Sequence, residues 1–191
     1  MTPSLIQPPA LEPLSLAEAK DWLRLESAED DDLLRALIVS ARLALEAFTR
    51  RFFVTQGWRA TLDAWPRGPR DATLALPFAP FRGVSAIRIY DAARASQTMA
   101  PDAYRAAPAA DGGRIAFTAQ PRQPGVATDG IEIDFTVGYG DRARDTPEPL
   151  RRATAMLVAH WHENRGDAPN GDALPPQALA LARPYRRERL I

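Results

Sequence analysis

The spacing of apolar residues changes period twice along the chain, and each change marks a structural boundary. From Ser15 to Thr49 the spacing is helical. Ser15-Leu16-Ala17-Glu18 has the capping-box pattern, serine at the N-cap and glutamate three residues on, and predicts a short helix to about Leu25. Ser27 to Asp32 is a polar break. A second helix runs from about Asp31 to Thr49, with Leu34, Leu37, Ile38, Ala41, Leu45 and Phe48 as its stripe. Asp30-Asp31-Asp32 stands at its start, where anionic side chains offset the helix dipole.

From Phe52 the period falls to two. Val54 to Trp65, Thr73 to Leu76 and Val84 to Tyr90 read as strands, with Gly68-Pro69 as a turn after the first. Thr98 to Met99, Tyr104 to Ala106 and Arg114 to Thr118 read as weaker ones, with Asp111-Gly112-Gly113 as a hairpin turn. In Ile131 to Val137 the apolar Ile131, Ile133, Phe135 and Val137 alternate with Glu132, Asp134 and Thr136, the strongest strand signal in the chain. Gly138-Tyr139-Gly140 stops it.

The helical period then returns. Glu148 to Arg165 predicts one helix, with Pro149 in its first turn and Gly166 just past its end. Leu150, Ala153, Thr154, Leu157, Val158 and Trp161 make its stripe. Leu174 to Ala182 predicts a last short helix, closed by Pro184.

These periods give an α+β fold class. A small α-helical core, of two N-terminal and one or two C-terminal helices, is interrupted by a mostly antiparallel β insertion. The expected organisation is an extended, proline-rich N-terminal arm at 1–13, a single domain at 14–183 and a tail at 184–191. Within the domain, helical segments at 14–51 and 148–183 enclose the β insertion at 52–140.

Charge sharpens this picture only locally. The 24 basic and 24 acidic residues cancel, which argues against a globally basic nucleic-acid binder. Yet residues 1–32 carry eight acids (Glu12, Glu18, Asp21, Glu26, Glu29, Asp30, Asp31, Asp32) against Lys20 and Arg24. The chain closes on Arg183, Arg186, Arg187 and Arg189 against Glu188. Opposite charge at the two ends suits head-to-tail self-association or a charged partner. The chain has no cysteine, which excludes disulfides and thiolate metal sites. Its first residues have no basic-then-apolar leader pattern, and no apolar run reaches membrane-spanning length, so no membrane partner is expected.

Candidate chemistry is sparse. Both histidines, His160 and His162, lie in the helix at 148–165. Two residues apart on a helix they point about 200° away from each other and cannot grip one metal together. A metalloprotease motif with i, i+4 histidines is absent, as are a phosphate-binding loop and a nucleophile elbow. Thr136 to Gly140 spells the letters of a potassium filter, but it comes after a charged alternating strand and reads as a turn into the next helix. No catalytic, cofactor or metal residue is assigned, and no cofactor is expected. Two alternatives stay open: a small metal-dependent hydrolase using His160 and His162, and a DNA-binding assembly factor acting through the basic tail.

The motifs in order carry a resemblance. PLSLAEAKDWLRL, the acidic break, the helix ending EAFTRRFFVTQGWRATLDAWP, then LPFAPFRGVSAIRIYD, DAYR, IDFTVGYG and PEPLRRATAMLVAHWHENR resemble the head–tail connector (adaptor) proteins of tailed phages. The connectors of phage-like gene transfer agents are similar. The match spans roughly residues 13–165. It implies a structural protein without catalytic activity, in a virion or phage-like particle after assembly in the host cytoplasm. It further implies a homo-oligomeric ring, usually of about twelve subunits, between the portal protein and a tail stopper or tail-terminator protein, with DNA passing transiently through the channel. In related adaptors the C-terminal segment reaches into the portal. The matching residues are Pro184, Tyr185, Arg186, Arg187, Arg189, Leu190 and Ile191.

Overall fold

The structure, a computed structural model of the chain, describes residues 1–66, 72–164 and 174–187. Its elements are β1 (Thr2–Gln7), α1 (Leu16–Leu23), α2 (Asp31–Thr49), β2 (Gln56–Leu62), β3 (Thr73–Leu76), β4 (Phe81–Tyr90) and β5 (Ser96–Thr98). They continue with β6 (Tyr104–Ala109), β7 (Gly112–Phe117), β8 (Ile131–Val137), α3 (Glu148–Glu163) and α4 (Pro176–Ala182). The fold is α+β, and it divides into a β unit (residues 1–9 and 55–138) and a helical unit (10–54 and 139–191).

In the β unit, β8 is the middle strand of a five-stranded antiparallel sheet ordered β1-β2-β8-β4-β5. Its alternation sorts the two faces: Ile131, Ile133, Phe135 and Val137 are buried, while Glu132 and Asp134 lie on the opposite face. There Arg59 of β2 grips Asp134 with two hydrogen bonds, at 2.6 and 2.9 Å, and Arg88 of β4 donates at 2.7 Å. Burial opposes ionisation of Asp134, but the two guanidiniums outweigh it and hold its carboxyl below the usual aspartate value.

A second antiparallel sheet, β3-β7-β6, carries its own buried residues in Leu74, Leu76 and Ile115. The β6–β7 hairpin turns at Gly112, whose φ of +123° and close approach to Leu76 O leave no room for a side chain. Residues 1–13, expected as an extended arm, contain β1, which pairs along β2 as the sheet's edge strand. The turn expected at Gly68-Pro69 lies outside the described residues.

In the helical unit the expected capping box is present: Ser15 Oγ accepts from Glu18 N, and Glu18 Oε2 accepts from Ser15 N. α3 packs against α1, α2 and α4, burying Leu150, Ala153, Leu157 and Val158 against Leu34, Ile38, Ala41 and Leu45 of α2. α2 runs over the span its stripe predicts. α4 starts two residues later than expected, because Pro175 supplies an extended N-cap and Pro176 the first helical position. The helix end expected at Gly166 lies outside the described residues.

Candidate functional site

The last turn of α2 gathers the residues that position the chain's basic end. Arg50, in the left-handed conformation at φ 55°, ends the helix. That leaves terminal carbonyls in need of donors, and Thr49 O accepts from the backbone N–H of Arg187 at 3.0 Å. Arg51 Nε donates to Tyr185 O at 2.7 Å, and the Arg186 guanidinium sits 5.0 Å over the Phe48 ring. Burial pushes the Tyr139 hydroxyl above its usual pKa, and the charge of Arg51 offsets this only in part.

Four of the seven expected tail residues can therefore be placed. Pro184 and Tyr185 lie in a 3-10 turn after α4, and Arg186 and Arg187 run along the end of α2. Arg189, Leu190 and Ile191 lie outside the described residues. The residues that seat this segment, Phe48, Thr49 and Arg51, are absent from the expected site. Arg50-Arg51 after the last apolar position of a helical stripe is a local sign of a helix end, but nothing local connects it to a segment more than 130 residues away.

A second polar group holds the start of the unit. Arg42 donates to Glu12 Oε2 at 2.6 Å and to Glu46 Oε2 at 3.0 Å, and Glu46 Oε1 accepts from Phe53 N at 2.8 Å. These bonds tie the segment before α1, the body of α2 and the chain leaving α2 to one another. Burial pushes the Glu46 carboxyl up, and Arg42 and the Phe53 N–H offset this only in part.

The two histidines have separate partners. His162 Nε2 lies 3.0 Å from Asp30 Oδ2, and His160 Nδ1 lies 3.2 Å from Asn164 Nδ2. The remaining aspartates of the acidic run are also paired, Asp31 with Lys20 at 2.8 Å and Asp32 with Arg35 at 2.6 Å. Among the described residues, no group of three or more histidines and carboxylates is arranged to hold a metal ion. Nor is any described helix long and apolar enough to cross a membrane.

Three solved structures are similar over all of this chain and 98% of their own. They are the neck of an empty gene transfer agent particle computed with C6 symmetry (29% identity, TM-score 0.84), the virion of a native gene transfer agent particle (29%, 0.82), and the neck of the native particle computed with C12 symmetry (30%, 0.77). No curated protein matches in sequence. The family profile of head completion proteins matches residues 12–187. The chain thus belongs to the head completion protein family, whose members are structural proteins of phage-like particles and not enzymes.

Proposed function

We propose that this protein is a subunit of the ring that joins the portal of a phage-like particle to its tail and lets DNA pass. The observation that carries this reading is the likeness, over the whole chain, to a component of a particle neck computed with C12 symmetry. A closed ring needs a heterologous interface, in which two different surfaces of each subunit meet. The balanced net charge suits a channel through which DNA slides without sticking. The segment from Pro184 to Ile191 is the portal-binding tail of this reading. Its first residues are seated on α2, which gives the tail a fixed point of departure. The remaining contacts are with the tail stopper or terminator.

Co-purification tests the reading. The full chain should be retained by immobilised portal assemblies, and a chain cut after Arg183 should not. Equal retention of both would remove the tail from the contact, and no retention of either would remove the portal as partner.

A further inference from the structure

Over its central turns α2 keeps its charges on the inner side, beside the buried apolar stripe. Between Arg35 and Arg50 its only charged residues are Arg42 and Glu46, and both are buried, 5% and 8% exposed. Its exposed positions over the same span are Ala36, Val39, Ser40, Leu43 and Ala47. Leu43 is 54% exposed and Val39 38%. A helix that faces only solvent carries charge on its outer side. Here about 18 Å of helix, from Ala36 to Ala47, shows none.

The outer residues are ordered as well as apolar. Leu33, Ala36, Ser40, Leu43 and Ala47 succeed one another at alternating steps of three and four, the spacing of a seam that receives another helix. Small residues separate the two leucines, leaving hollows between ridges. Ser40 adds no free hydroxyl to the seam, because its Oγ donates to Ala36 O at 2.9 Å. The inner stripe of α2, with Leu34, Ile38, Ala41 and Leu45, is already covered by α3. α1 and α4 also pack on this helix, and among the described residues no helix covers its outer seam, whose Leu43 and Val39 stay exposed. Beside the outer seam, Val39 also lines a groove of about 430 Å³ with Leu11, Leu14, Leu16 and Ile38.

We infer that the outer seam of α2, centred on Leu43, packs against a helix of the neighbouring copy of this chain in the ring. This rests on the ring reading above. The similar neck was computed with C12 symmetry, and in a closed ring every subunit meets a copy of itself on two sides through two different surfaces. An uncharged helical seam gives no grip on DNA, which is bound through basic side chains. The seam is also small beside the roughly 800 Å² that each partner buries in a stable free pair. It suits a contact repeated around a ring, where each copy is held from both sides.

The test places a photocrosslinking benzoylphenylalanine at position 43 in particles assembled in cells. Irradiation should yield a ladder of this chain crosslinked to itself, with the joined peptides, found by mass spectrometry, coming from a helix of a second copy. Crosslinks only to a portal or tail protein, or none in particles that contain the chain, would overturn the assignment while leaving the ring reading intact. Absence of the chain from particles that have otherwise assembled would remove both. A second variant guards against misfolding. Leu43→Glu should keep the circular-dichroism spectrum and melting temperature of the parent, yet enter particles at least tenfold less. Parental incorporation of Leu43→Glu would also refute the seam.

Discussion

Arg42 Nη1 and Glu46 Oε2 lie 3.0 Å apart, one turn from each other on the inner side of α2, each less than a tenth exposed. The pair occupies positions that an apolar stripe would fill, and it faces Glu12 and the Phe53 N–H. Removing one partner leaves the other charge buried without its counterpart. Arg42→Ala should therefore cost about 3–5 kcal/mol, measured by urea unfolding. Arg42→Met with Glu46→Leu should recover only part of that, since it removes both buried charges but leaves the buried Phe53 N–H without its acceptor and Glu12 without its donor. A single variant within about 1 kcal/mol of the parent would contradict this role.

The seat of the tail gives a second expectation. Tyr185 contacts Arg51 just past α2, and Arg186 and Arg187 contact its last turn, so removal of 184–191 should lower the melting temperature by several degrees as well as abolish portal retention. Cutting after Arg187 keeps those contacts and should abolish retention alone. Calorimetry beside the co-purification assay separates the two effects. Full retention by the shorter truncation would show that the last four residues do not touch the portal.

The Asp134 cluster makes stability depend on acid. A carboxyl whose folded pKa is depressed adds stability that is complete above its unfolded value, about 4, and is lost as the pH falls through the folded value. Asp134→Asn should therefore show a smaller fall in melting temperature than the parent between about pH 5 and about pH 3. Identical slopes would mean that Arg59 and Arg88 hold the carboxyl no better than water does.

Gly112 tests the backbone of the hairpin. A Cβ there would lie 2.2 Å from Leu76 O, in a left-handed conformation at φ +123°. Gly112→Ala should destabilise the chain by about 2 kcal/mol or more, read from thermal unfolding. A neutral substitution would mean that the turn can move.

Much of this architecture was legible in the sequence because its signals are local. The bounds of α2, β3 and β8 follow from apolar spacing alone, and the capping box at Ser15 marks the start of α1 to the residue. The hidden parts depend on distant partners. Arg42 and Glu46 fall outside a stripe defined by apolar residues, so the inner face of α2 looked narrower than it is. Nothing local in the sequence marks Leu33, Val39 and Leu43 as exposed rather than packed. β1 lacks clear alternation and contains Pro3, and only its pairing with β2 makes it a strand. The seat of Tyr185 to Arg187 joins residues more than 130 positions apart, which no local pattern records. The resemblance in the ordered motifs pointed to a structural protein of a phage-like particle, and the family match bears that much out.

Particles purified from cells that express this chain, imaged by cryo-electron microscopy and reconstructed at the neck, test the central claim most directly. The expected result is a closed ring of this chain immediately below the portal, around an open channel. A neck in which this chain is absent, or is present as single copies that form no ring, would contradict it.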